Sequence, residues 1–268
     1  VCGLSVAQIA RAFLASEAAV EQRITRAKAK VGAANVPFEA PGPVERAERL
    51  AAVMSMVYLL FNEGYTTDVA QHGAKSALCG EAIWLSRLLL RIFPAEPEVM
   101  ALAALLMLQH ARAAARFDAG GMVVLLEDQD RSLWNKQLVV EGLALIDKAV
   151  RHSRPGPYQV QAAVAALHSR ATTARDTDWS GIELLYQALE RMQPSPIVTL
   201  NRAVAVAMTR GADAALALID PLADRLDGYF YFHAVRAKFL TQLDQVAEAR
   251  IAGRRAIALA GTAAEAAH

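Results

Sequence analysis

The sequence predicts an all-α protein, and three observations carry that prediction. Alanine, the strongest helix former, supplies 56 of the 268 residues; Gly at 15 and Pro at 10 are sparse; and apolar residues recur at spacings of three and four over most of the chain. So much alanine with so few chain breakers argues against any large sheet. The length allows one large domain or two smaller ones and a sizeable core.

The elements follow in order. Ser5 can cap a first short helix with Ile9 and Phe13 facing inward, Leu14 and Ala15 make a tight turn, and Ser16 caps a second helix with Val20, Ile24 and Ala27 inside. Pro37, Pro41 and Pro43, with Gly32 and Gly42, then mark a linker over 33–45, because each Pro biases its predecessor away from helix. Leu50, Val53, Met54, Val57, Tyr58 and Phe61 predict a helix from Arg46 that Gly64 would stop. A helix over 70–93 ends before Pro94, and another runs over 97–116 with Pro97 and Glu98 in its first turn. The run MVVLL at 122–126 predicts a short extended piece, and Asp130 is expected to cap a helix through Val150. Further helices are expected at 158–174, 179–192, 197–209, 212–224, 229–242 and 245–260.

Charge divides the chain unevenly. Residues 1–33 hold five cations against two carboxylates, a net +3, whereas the remainder carries −2. A total of +1 gives the whole molecule no strong field for nucleic acid or anionic lipid, so any such preference must be local. Cys2 and Cys79 lack the neighbours that a disulfide framework or zinc site would need, which fits a reducing compartment. The longest stretch without a charged residue, 155–169, is too short for a membrane span, and the expected location is the cytoplasm without membrane attachment. A start at Val1 in a helix-start pattern predicts further chain upstream.

The C-terminal part carries a repeat. Gly181, Ala215 and Ala249 fall in register at steps of 34, as do Ala188, Leu222 and Ala256; Ala203 pairs with Ala237 and Val206 with Leu240 at the same step. Small residues at these points let paired helices approach, and Pro194 separates units, as in a tetratricopeptide-like solenoid. The usual Trp and Gly-Tyr pair of that repeat are absent, and a non-repeating bundle is the alternative. The expected division is 1–32, a partial helix-turn-helix; 33–45, the linker; and 46–268, a helical extension with a bundle part over 46–154 and a tetratricopeptide-like part over 155–268.

Two short helices joined by a tight turn are the outline of a helix-turn-helix, whose second helix enters the major groove. On that helix Ser16, Glu17, Ala18, Glu21, Gln22, Thr25 and Arg26 point outward or flank the groove face, and Arg23, Arg26, Lys28 and Lys30 could reach phosphates. Gln8-Ile-Ala, followed by Val20-x-x-Arg-Ile-x-Arg-Ala-Lys28, resembles the end of region 4 of bacterial extracytoplasmic-function sigma factors. YLLFNEGY (58–65), EAIWLSRLL (81–89), LLEDQDRSLW (125–134) and PSPIVTLNRAVAVA (194–207) resemble members of that group with a long C-terminal helical extension, so the likeness covers practically the whole chain. It implies a factor that binds core RNA polymerase and directs it to promoter DNA. The recognition helix would be 16–30, with Arg23, Arg26 and Lys28 at the family's basic positions, and a region 2 with the start of region 4 would lie in a missing N-terminal part. Glu17, Ala18 and Ala19 offer few base-edge donors, which leaves the target sequence open. The bland alternative is an ordinary helical hairpin with a solvated basic face. A second functional class is an adaptor without DNA function whose solenoid groove holds a peptide or protein.

Weaker signals remain. Glu127, Asp128, Asp130 and Arg131 cluster near Arg112 and Arg116, which lie one turn apart. Lacking a spaced Gly-containing loop or a His partner, this cluster predicts no metal. The structural expectation pairs Asp128 with Arg112 or Arg116; a regulatory contact with region 2 or with another protein is the functional one. His72, His110, His152, His168, His233 and His268 are scattered, and no nucleophile elbow, Cys-His pair or phosphate loop is present, so neither catalysis nor a cofactor is expected. The run Tyr229–Phe232 reads as core or, less simply, as a peptide-binding surface.

Overall fold

A computed structural model describes residues 4–13, 15–34, 42–65 and 72–261. It is all-α: α1 (Val6–Ala12), α2 (Glu17–Ala34), α3 (Pro43–Tyr65), α4 (His72–Ile92), α5 (Pro97–His110), α6 (Lys136–Val150), α7 (Pro157–Arg170), α8 (Trp179–Met192), α9 (Pro196–Arg210), α10 (Ala212–Ile219), α11 (Ala223–Leu226), α12 (Phe230–Gln242) and α13 (Val246–Leu259). Of the expected linker over 33–45, residues 35–41 lie outside the described residues, as does Leu14 of the expected turn; residues 33–34 belong to α2 and residues 43–45 open α3, so Pro43 starts a helix rather than extending the linker.

The core is built around α5. Every residue from Val99 to Leu108 is buried, because this helix is apolar on all sides and neighbours meet it all round. Leu102, Leu106 and Met107 face α3 and α4, where they join Phe61, Leu60 and Ile83; Met100, Ala101 and Ala104 face Ile146 of α6 and Ala162 and Ala166 of α7. Helix α6 comes so close that a Cβ on Gly142 would lie 2.8 Å from Leu108 Cγ. Val164, Ile182 and Ala205 carry the apolar contact onward from α7 through α8 to α9, and a further core joins α9 to α13 through Leu200, Ile219, Phe232 and Leu240.

The repeat is visible in the helix starts. Helices α8, α10 and α13 begin at 179, 212 and 246, steps of 33 and 34; α9 and α12 begin at 196 and 230, a step of 34. Ala203, Ala215, Val206 and Leu240 of the repeat register are buried, as close helix approach requires. Of the aromatic run, Phe230 and Phe232 are core and Tyr231 is exposed.

Four expectations need correction. The helix expected over 97–116 ends at His110, where the chain turns through a 3-10 segment, Ala113–Ala115. Asp130 does not cap the helix through Val150: its Oδ1 accepts the Ser132 N–H at 2.8 Å and caps the short 3-10 turn Arg131–Leu133, while Asn135 caps α6 by accepting from Leu138 N–H at 3.1 Å. The helix expected over 212–224 breaks around Pro221, which lacks the N–H a continuous helix needs. Residues 122–126 form no strand; a single bridge joins Phe117 to Val123.

Candidate nucleic-acid interface and a polar cleft

Helix α1 opens with a reciprocal cap. The Gln8 N–H donates to Ser5 Oγ at 3.2 Å and the Ser5 N–H to Gln8 Oε1 at 2.5 Å. Gln8 Nε2 then donates to Glu63 Oε1 at 2.7 Å, and Leu4 packs on the α3–α5 core, so α1 is anchored to α3. Ser16 caps α2, its Oγ accepting the Ala19 N–H at 3.3 Å, and so faces its own helix rather than a partner. Ala10 and Val20 are buried. Phe13 and Ala27, expected inside, are exposed, and Ile24 is half-buried.

Beyond Val20, α2 has little packed against it. Glu17, Ala18, Glu21, Gln22, Arg23, Thr25, Arg26, Lys28 and Lys30 are all exposed. At 3.6 residues per turn they do not form one basic face. Arg23, Arg26 and Lys30 share one flank; Lys28 lies on the other flank with Glu17 and Glu21; Ala18, Gln22, Thr25 and Ala29 point away from the Val20 side. The expected grouping of Lys28 with Arg23 and Arg26 is corrected by this geometry. Among the described residues, Arg23, Lys28 and Lys30 make no ion pair, and Arg26 spends one donor on the Gln22 carbonyl at 3.3 Å.

The polar cluster on the extension is arranged differently from the sequence expectation. Arg112 and Arg116 do not pair with Asp128, which is exposed; both arginines hold Tyr65, the last described residue of α3. The Arg116 guanidinium lies over the Tyr65 ring, 3.6 Å from its centroid, and donates to the Tyr65 carbonyl at 2.5 Å. Arg112 donates to the Tyr65 hydroxyl at 2.9 Å and to Gln109 Oε1. Burial lowers the pKa of the Arg112 guanidinium, and Arg116 pushes it the same way. Arg131 donates to the carbonyls of His168 and Ala171 and stacks on Trp134, 4.7 Å from its ring centroid. Glu127 reaches Lys238 at 2.9 Å.

These contacts tie residues 122–134 to α7 and α12, and two adjoining cavities lie between this segment and α7, α8, α9 and α12. One, of ≈ 250 Å³, is lined by Leu126, Arg131, His168, Trp179, Tyr186 and Lys238 among others; the second, of ≈ 170 Å³, shares Leu126, His168 and Tyr186 and adds Arg112. Burial, then the charges of Arg112 and Arg131, hold the His168 imidazole down at about 4, so it is neutral at pH 7. Burial likewise pushes the Tyr186 hydroxyl up to about 12. Tyr65, His168, Tyr186 and Lys238 escaped sequence reasoning because they come from four separate helices, with no spacing to link them. Among the described residues, no group of three His, Cys, Asp or Glu side chains could hold a metal ion, and no helix is long and apolar enough to cross a membrane.

Residues 49–150 match the model of a family of unknown function, DUF6596. An uncharacterized protein of Rhizobium meliloti (strain 1021) is 66% identical over all 268 residues, which cover 63% of its length. The chain thus spans under two-thirds of that relative. No solved structure matches it. The family match runs from Arg49 in α3 to Val150 at the end of α6, so it contains Tyr65, Arg112, Arg116 and Arg131, while α1 and α2 lie outside it.

Proposed function

We propose that the protein is a sigma factor: α1 and α2 form the promoter-reading helix-turn-helix, and α3–α13 modulate its activity through protein contacts. The observation that carries this reading is α2 itself, a capped helix that packs at Val20 and leaves Arg23, Arg26, Lys28 and Lys30 exposed. The helix buries one stripe and offers the opposite side, Gln22 and Thr25, to a groove, with cations on its flanks to meet phosphates. The partners are core RNA polymerase, promoter DNA and, within the full protein, a sigma region 2 or a regulatory protein; the setting is the cytoplasm, and the protein does no chemistry of its own.

Magnitudes favour joint binding with polymerase. Three or four phosphate contacts lose roughly a hundredfold in affinity between 50 and 200 mM salt. A single module of this size buries on the order of 600 to 1,000 Å², so α1 and α2 alone start weak.

Promoter-specific transcription by core polymerase plus the full-length protein tests the reading, and its absence contradicts it. Cutting the full-length protein after residue 40 then assigns the extension: silence means it supports activity, and excess transcription means it restrains it. The adaptor reading draws on the 33- and 34-residue steps of the C-terminal helices. It predicts no salt-sensitive association with promoter DNA in the presence of core polymerase.

A further inference from the structure

We propose that the cleft beneath residues 122–134 binds a small organic anion, a carboxylate carried on an apolar body. Space comes first. The larger cavity measures ≈ 250 Å³ and adjoins the second of ≈ 170 Å³, whereas about 150 Å³ is enough to hold a benzene ring. Ile182, Val204 and Leu125 supply apolar wall for such a body.

Charge selects the head group. Arg131 and Lys238 line the larger cavity and Arg112 the smaller, three cations against Glu127 on the wall, with the Asp176 carboxylate acting on Arg131 from outside the lining. Among the described residues Arg112 has only neutral hydrogen-bond partners, the Tyr65 hydroxyl and the Gln109 side-chain carbonyl, and no carboxylate pairs with its buried charge. Arg131 spends only Nη1 on the backbone carbonyls of His168 and Ala171, which leaves its other donors for a ligand. The Tyr186 hydroxyl, between the two cavities, has no hydrogen-bond partner among the described residues. His168, neutral at pH 7, adds a hydrogen-bonding group without further charge.

Glu127 and Lys238 give the proposal a test with a sign. Their ion pair sits on the cavity wall, each side chain partly exposed, so either can be neutralised without opening the core. Glu127→Gln frees Lys238 and removes the carboxylate on the cavity wall; Lys238→Gln leaves Glu127 unpaired beside the ligand. If the pair served only to fasten the 122–134 segment, both substitutions would act alike.

The probe is benzoate, titrated calorimetrically into the full chain, with benzamide as the neutral counterpart and inorganic phosphate as the anion without an apolar body. Saturable benzoate binding is expected, with benzamide weaker by about tenfold or more, as loss of one charge-assisted hydrogen bond implies. Phosphate should also be weaker, Glu127→Gln should tighten benzoate severalfold, and Lys238→Gln should weaken it by about tenfold. The proposal is overturned if benzoate shows no saturable binding, if benzamide or phosphate binds as tightly, or if the two substitutions shift benzoate affinity in the same direction or leave it unchanged.

Discussion

Arg131 donates to the backbone carbonyl of His168 at 2.5 Å, and through the same nitrogen to that of Ala171 at 2.8 Å. These carbonyls belong to the C-terminal end of α7, where helical carbonyls lack partners of their own, so one guanidinium ties the 122–134 segment to the end of that helix.

Arg131→Ala should therefore cost about 1–3 kcal/mol of stability, since two part-buried carbonyls lose their charged donor. Arg131→Lys should restore only part of it, since an ammonium lacks the planar fork and the stacking on Trp134. Urea denaturation of the three proteins measures this; equal midpoints would mean the bond is idle.

The other end of α7 is closed from a distance. Glu98 on α5 accepts from the N–H groups of Tyr158 and Gln159, both at 3.0 Å, and fills the space where a Gly156 side chain would be: an added Cβ would lie 2.3 Å from Glu98 Cδ. Gly156→Ala should displace the carboxylate and cost about 1–3 kcal/mol, with Glu98→Ala similar and the double substitution far short of additive. Thermal unfolding of the set checks this.

His168 makes stability depend on pH. Because burial and the charges of Arg112 and Arg131 hold its pKa at about 4 rather than 6.5, the unfolded chain takes up the proton first as the solution is acidified. Its contribution is full above pH 6.5 and drains away between 6.5 and about 4. At pH 5 the loss is about 2 kcal/mol. Compared at pH 7 and pH 5, His168→Gln should lose less stability than the wild type by about that amount; identical losses would remove the effect.

Much of this architecture was legible because it is local. Caps at Ser5 and Ser16 and the breaks near Pro94 and Pro155 act within a few residues, and the 34-residue step is a pattern in the sequence itself, so the helices form accordingly. What failed depended on distant chain. Asp130 and Asn135 are equally good caps by type; the choice fell to Asn135, whose backbone N–H donates to the Ala111 carbonyl at 2.8 Å and sets where α6 begins. Ala113–Ala115 would continue a helix by propensity, yet the chain turns there and Arg112 and Arg116 close on Tyr65 from another helix. Asp128, the acid expected to pair with these arginines, is exposed instead. On α2, Val20 is buried as the sequence places it, and the helical period about Val20 then puts Lys28 on the opposite flank from Arg23 and Arg26, a division that reading the cations as one group overlooks.

On the proposed sigma-factor reading, that division separates reading from anchoring. Gln22 lies opposite Val20, and on that reading it meets a base edge, where a glutamine pairs with adenine. Gln22→Ala should change promoter preference by about 1–3 kcal/mol at one base pair and leave the salt dependence intact. Binding to a promoter library with polymerase present distinguishes this from a uniform loss.

The central claim is that α2 lies along duplex DNA with Arg23, Arg26 and Lys30 on phosphates. Its most direct measurement is the salt dependence of promoter binding by the full-length protein with core polymerase, compared with the variant R23A/R26A/K30A. The slope of log affinity against log salt should become shallower by roughly three, one step per lost phosphate contact. Identical slopes, or no salt-sensitive promoter binding by the wild type, would contradict it.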